Sequence, residues 1–146
     1  AARRDPNFLI IARTDARQSE GLEGSIARAT AYAAAGADIL FCEALTSEAE
    51  MKRACAEVPG PMMANMSNGG LTPVLSAKAL AEAGFAFAIY PALTSLVAAS
   101  AMERALHRLK DSGDGQPDDL GVFDFNEFCG LIGFQEVWDF EKQWAR

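Results

Sequence analysis

Four short, apolar, β-rich runs punctuate this chain, and each ends on a compact polar cluster. Phe8-Leu9-Ile10-Ile11-Ala12 gives way to Arg13-Thr14-Asp15, and Ala37-Asp38-Ile39-Leu40-Phe41-Cys42 to Glu43. Pro61-Met62-Met63-Ala64 leads to Asn65-Met66-Ser67-Asn68, and Phe85-Ala86-Phe87-Ala88-Ile89 to Tyr90-Pro91. A stretch with helical spacing separates each run from the next. Buried strands alternating with helices predict a parallel α/β sheet with the helices outside. In such folds ligands sit beyond the C-terminal ends of the strands, where all four polar clusters fall. An arginine, a carboxylate and an amide on one rim point to a small, anionic, oxygen-rich ligand.

The helical stretches carry their own boundaries. Ser19-Glu20-Gly21 opens a helix with Leu22, Ile26, Ala29 and Ala33 on one face, and Gly36 stops it. Ser47 with Glu50 three residues later reads as a capping box for a helix through Met51, Ala54 and Val58, which Pro59-Gly60-Pro61 terminates. A third helix begins near Ser76 and stops at Gly84. A fourth runs from about Leu93 to Leu109 with Leu96, Ala99, Met102, Leu106 and Leu109 on one stripe. The strand-to-strand interval, roughly 20 to 30 residues, is that of a minimal βα unit. Four units make half of a (β/α)₈ barrel, whose usual size is ~250 residues.

The organisation expected is therefore the second half of a TIM-type barrel over residues 1–111, a polar linker over 112–122, and a helical tail over 123–146. That tail, read as one helix, holds both tryptophans and five of the nine phenylalanines. So much aromatic surface calls for cover, either from its own barrel or from a neighbouring subunit with which the helix is exchanged.

Composition narrows the function. The net charge of −7 argues against general nucleic-acid binding. No apolar stretch approaches membrane-spanning length, and Ala1-Ala2-Arg3-Arg4 lacks the apolar core of a signal peptide. Cys42, Cys55 and Cys129 are odd in number, apolar in context and without metal-ligand spacing, so they read as reduced core thiols of a cytoplasmic protein. The single histidine, His107, stands among charged neighbours late in a helix and reads as solvated, which argues against histidine triads and zinc sites.

The candidate site residues each carry a structural alternative. A guanidinium at Arg13 can grip a carboxylate or phosphate bidentately, or it can pair with Asp15, which itself can orient Arg13 or cap the next turn. Glu43, after the four apolar residues Ile39 to Cys42, needs a metal, a metal-bound water, a cation or a substrate hydroxyl, or else a structural pairing with Arg13. Asn65 and Ser67 supply neutral donors. Asn68-Gly69-Gly70 lacks the full glycine fingerprint of a phosphate cradle.

Leu9-Ile10-Ile11-Ala12-Arg13-Thr14-Asp15-Ala16, Gly36-Ala37-Asp38 with Glu43-Ala44, Ala64-Asn65-Met66 and Ile89-Tyr90-Pro91 together resemble the isocitrate lyase/phosphoenolpyruvate mutase superfamily. The likeness covers almost the whole chain in order and spacing, and is nearest to the C-terminal half of methylisocitrate lyase-like or dimethylmalate lyase-like enzymes. It implies a Mg²⁺-dependent (β/α)₈ barrel that cleaves a carbon–carbon bond in a small 2-hydroxy or 2-oxo carboxylic acid, through an enolate-type intermediate to a pyruvate-type product. It also implies a cytoplasmic homo-oligomer, a dimer or tetramer, with contacts through the C-terminal helix. Carried over, Arg13 holds a substrate carboxylate, and Glu43 is the catalytic carboxylate near substrate and metal-bound water. Asn65 and Ser67 contact substrate, with serine in place of the family's threonine, and Pro91 lines the pocket wall. No direct metal ligand is carried over.

Two departures bear on the substrate. Leu96 and Phe125 align where methylisocitrate lyases carry arginines, so smaller or less charged substrates are expected. The family's paired aspartates and its Lys-x-Cys-Gly-His loop belong to strands this sequence lacks, and Cys42 is no substitute. Two other chemistries fit the resemblance, a phosphonomutase or other P–C bond enzyme and an oxaloacetate decarboxylase. A different class of reading is a catalytically incomplete half-barrel, and the 146-residue chain alone is expected to be inactive.

Overall fold

The computed structural model describes residues 3–115 and 120–145; the centre of the expected linker, 116–119, lies outside them. The chain packs as two compact units, Ala1–Ser95 and Leu96–Arg146.

The first unit alternates strand and helix as the sequence predicts: β1 (Ile11–Thr14), α1 (Ala16–Ala34), β2 (Ile39–Cys42), α2 (Glu48–Glu57), β3 (Met63–Asn65), α3 (Ala77–Ala83) and β4 (Phe87–Ile89). All pairing is parallel. β1 pairs with β2, with Arg13 opposite Phe41 and Thr14 opposite Cys42. β3 pairs with β4, with Asn65 opposite Ile89. A single parallel bridge, Leu40 to Met62, joins the two pairs. This is a mixed α/β fold in which each helix returns the chain to the start of the next parallel strand.

Strand periodicity divides the sheet into two faces. Leu40, Cys42, Met62 and Ala64 point to the helices and form the core with Ile26 and Ala29 of α1, Met51 and Ala54 of α2, and Leu80 of α3. On the opposite face Phe41 and Met63, on the inner strands, are buried, whereas Ile11, Phe87 and Ile89 are exposed by 48%, 39% and 38%. The expectation of four buried strands therefore holds for β2 and β3 but not for β1 and β4, each of which has a strand on one side only among the described residues.

Local signals explain the helix ends. Gly36, at φ +96°, closes α1 through hydrogen bonds from Gly36 N to Ala33 O and from Ala37 N to Tyr32 O. Gly84, at φ +101°, closes α3 in the same way, and a Cβ there would sit 3.0 Å from that of Cys55. Both are Schellman closures, in which the αL residue is nearly always glycine. Ser47 accepts a hydrogen bond from Glu50 N at 3.2 Å, and Ser76 one from Ala79 N at 3.2 Å.

Three boundaries differ from the sequence reading. β1 begins at Ile11 rather than Phe8, because pairing starts where Asp38 N and Ile39 N both donate to Ile10 O. α1 begins at Ala16, with a single non-helical residue, Gly21, at the expected opening. The aromatic tail of the second unit is two helices, α5 (Phe125–Leu131) and α6 (Phe134–Trp144), after α4 (Leu93–Ser112). Gly133, at φ +85°, breaks them apart. Edge-to-face pairs Phe123–Phe128 and Phe134–Trp138 hold ring centroids at 6.2 and 6.0 Å. Phe125, Leu131 and Trp144 remain exposed by 74%, 70% and 64%, and His107 is exposed on α4, as expected. No described helix is long and apolar enough to cross a membrane.

Candidate functional site

The parallel register builds the site. Arg13, the third residue of β1, lies opposite Phe41, so both side chains leave the same face of the sheet. The guanidinium carbon stands 5.1 Å from the centroid of the Phe41 ring, a cation–π contact. One step beyond β2, Glu43 N donates to Thr14 O at 3.0 Å, which extends the ladder and brings the carboxylate to the same rim.

Glu43 is the meeting point. Its Oε2 lies 3.2 Å from Arg13 Nη1 and accepts a hydrogen bond from Asn65 Nδ2 at 3.3 Å. Its Oε1 accepts from the N–H of Ala44 at 3.2 Å. Three of the predicted site residues, from the ends of three successive strands, thus converge. Ser67 and Pro91 follow β3 and β4 on the same rim; no described hydrogen bond links them to the trio. Ser67 O accepts from Gly70 N at 3.1 Å in a tight turn, with Gly69 at φ +82°.

Both ion-pair alternatives for Arg13 occur together. Asp15 takes Nε at 2.9 Å and Nη2 at 2.7 Å, while Glu43 lies at Nη1. The hydrogen bond from Arg13 holds the Asp15 carboxyl below its ordinary range, and pairing with Asp15 raises Arg13 further. Asn65 Oδ1 is buried and without a hydrogen-bond partner, an acceptor that calls for a donor. Glu43 and Asn65 thus offer hard oxygen atoms suited to Mg²⁺ or to water bound on it. Among the described residues no group of three or more His, Cys, Asp or Glu is placed to hold a metal ion, so the fit is to an outer contact rather than to a complete set of ligands.

The sequence reading missed two features. Ala44 is buried and adopts φ +62°, the one non-glycine residue with positive φ among those described. Such a backbone costs an L-residue about 1 kcal/mol or more, and it falls directly after Glu43, at the rim of the site. Nothing in the sequence marks it. The second is a clamp beside the rim. Glu50, expected to reach back to the N-cap in a capping box, instead accepts from Thr46 N at 2.9 Å and from Arg17 Nε and Nη2 at 2.9 and 2.7 Å. Arg17 also donates to Thr46 Oγ1 at 3.0 Å. The bidentate pairing lowers Glu50 to a pKa of about 2 and ties the start of α1 to the loop that carries Glu43. Cys42 and Cys129 are buried free thiols and Cys55 is half-buried against the core; burial raises Cys42 and pushes Cys55 up to about 12.

Residues 1–110 match the family model for phosphoenolpyruvate phosphomutase, and the chain belongs to that family. A 2-methylisocitrate lyase of Halalkalibacterium halodurans is 47% identical over 108 residues, 74% of this chain and 36% of that protein. A 2,3-dimethylmalate lyase of Eubacterium barkeri is 39% identical over 143 residues, 97% of this chain and 49% of that protein. The crystal structure of a 2,3-dimethylmalate lyase, a member of the PEP mutase/isocitrate lyase superfamily, superposes with a TM-score of 0.80 at 33% identity, over 92% of this chain and 47% of that one. The chain spans half or less of the length of these relatives.

Proposed function

We propose that the full-length protein is a Mg²⁺-dependent carbon–carbon lyase acting on a small 2-hydroxy carboxylic acid, and that this chain forms the second half of its (β/α)₈ barrel. The observation that carries the reading is the convergence of Arg13, Glu43 and Asn65 beyond the C-terminal ends of parallel strands, with Asn65 Oδ1 left for a donor. The half-barrel is supported by the exposed face at Ile11, Phe87 and Ile89 and by the unpaired flanks of β1 and β4. Relatives named for two lyases, aligned over 74% and 97% of this chain, support the class of chemistry.

In this reading Arg13 binds and orients a substrate carboxylate by charge-assisted hydrogen bonds. Glu43, held by Arg13, Asn65 and the Ala44 N–H, accepts a hydrogen bond from the substrate 2-hydroxyl or from metal-bound water. Bond cleavage then removes the hydroxyl proton, converts the 2-carbon to the ketone of a pyruvate-type product, and leaves the bonding pair on the departing acid as its enolate. Protonation of that carbon completes the reaction. When bound, Mg²⁺ would supply positive charge for the developing oxyanions, with Glu43 contacting it through water. Asn65 and Ser67 position the departing group, and Pro91 limits the pocket. Leu96 and Phe125, apolar where methylisocitrate lyases carry arginines, favour dicarboxylates over tricarboxylates. The exposed aromatic tail supports a homo-oligomer. The test is to incubate the full-length protein with Mg²⁺ and 2,3-dimethylmalate, oxaloacetate or phosphonopyruvate. Pyruvate with propionate from the first supports the lyase; turnover of either other substrate alone reassigns the chemistry to a decarboxylase or a P–C bond enzyme.

A further inference from the structure

Asp15 occupies the N-cap position of α1, yet its side chain makes no capping hydrogen bond. An aspartate at that position ordinarily accepts from the first free amides of the helix. Here Thr14 Oγ1 accepts from Ala16 N at 3.2 Å instead, and the Asp15 carboxylate turns back along the strand to Arg13. Its two oxygens take Nε and Nη2, at 2.9 and 2.7 Å, which is the side fork of the guanidinium.

That choice fixes what Arg13 can offer. The side fork is filled and Glu43 Oε2 is ion-paired with Nη1 at 3.2 Å, so a ligand is to be received along the outer edge that Nη1 and Nη2 share. Phe41 beneath the guanidinium and Glu43 at 3.2 Å from Nη1 define its plane and its direction. We propose that Asp15 is a positioning residue, which holds the side fork of Arg13 so that a substrate carboxylate is received end-on by Nη1 and Nη2, coplanar with the guanidinium. The proposal rests on Arg13 being the carboxylate-binding residue. It makes the bound carboxylate a third anion on a shared cation, after Asp15 and Glu43, gripped through one geometry instead of two. Its plane is set by Phe41 and Asp15 before the ligand arrives.

Asp15→Asn separates positioning from folding. Asparagine is as good an N-cap as aspartate, so a residue needed only to start α1 would tolerate the change. It has one acceptor oxygen and no charge, so it cannot hold both Nε and Nη2. In the full-length protein with Mg²⁺, the probe is oxalate, the smallest planar dicarboxylate, measured by calorimetry. The Asp15→Asn variant should keep its melting temperature and bind oxalate roughly ten- to 150-fold more weakly, the range for losing one charge-assisted hydrogen bond in a site that still has its arginine. Nitrogen-15 NMR should show the Arg13 Nε–H protected from exchange in the parent protein and exchanging freely in the variant. Unchanged oxalate affinity, or a loss of affinity that only follows a loss of melting temperature, would overturn the proposal. If the parent protein binds no oxalate although its Nε–H is protected, the functional reading itself fails, and positioning falls with it.

Discussion

Replacing Arg13 separates its structural from its chemical role. The side chain is about half exposed (49%), as is Asp15 (58%), and exposed ion pairs contribute at most ~1 kcal/mol to folding. The cation–π contact with Phe41 adds roughly 0.5–1 kcal/mol. Arg13→Ala should therefore lower stability by on the order of 1 kcal/mol and leave the protein folded. In the proposed function the same guanidinium makes charge-assisted hydrogen bonds to a substrate carboxylate, and losing them should cost about 2–4 kcal/mol. That corresponds to a fall of roughly 30- to 1,000-fold in kcat/KM. Arg13→Lys should recover only part of it, since an ammonium cannot satisfy Asp15 and a ligand with one planar fork. The assay is steady-state pyruvate release by the full-length protein, with melting temperatures measured alongside. An alanine variant within threefold of the parent, or a lysine variant equal to it, would refute the reasoning and reduce Arg13 to a surface ion pair.

Other expectations follow from the same structure. Arg17 depresses the Glu50 pKa from 4.5 to about 2, so the stability this pair contributes is complete above pH 4.5 and lost as the pH falls from there toward 2. The contribution is on the order of 1 kcal/mol for a largely shielded bidentate pair; Glu50→Gln should flatten that part of a urea-melt pH profile, and an unaltered profile would contradict the assignment. Cys55, with its pKa pushed up to about 12, and buried Cys42 should resist iodoacetamide in the native protein at pH 7.5 and react after denaturation, as peptide mass mapping would read out. With Leu96 and Phe125 read, as proposed, at positions of arginines worth roughly 1.5–3 kcal/mol each in charged hydrogen bonds, kcat/KM should favour 2,3-dimethylmalate over 2-methylisocitrate by at least tenfold. The reverse order in a side-by-side comparison would remove the basis for a dicarboxylate.

What the sequence made legible follows from how local each signal is. Gly36, Gly84, Ser47 and Ser76 act within one helical turn, so the ends they set could be read from the residues alone. Arg13, Glu43 and Asn65 could be placed on one rim because each directly follows or ends an apolar run. Their partners were not legible. That Phe41 lies beneath Arg13 depends on the register of β1 against β2, and no residue spacing specifies a parallel register. Glu50 has the spacing of a capping box, yet Arg17, 33 residues away in sequence, offers a charged bidentate partner that outweighs the N-cap amide. The strained backbone at Ala44 has no sequence signal, because alanine is a common residue with no αL preference. The expectation of four buried strands overlooked that the outer two strands of any four have a neighbour on one side only.

The most direct test of the account follows the bond electrons themselves. The full-length protein should be incubated with 2,3-dimethylmalate and Mg²⁺ in D₂O, with the products read by proton NMR. Pyruvate and propionate should form in equal amounts, the propionate carrying one deuterium at C2 and the pyruvate methyl none. Formation should stop with EDTA and fall in the Arg13→Ala variant. The 146-residue chain alone should yield neither product. No Mg²⁺-dependent pyruvate, or propionate without deuterium at C2, would contradict an enolate lyase built on Arg13, Glu43 and Asn65.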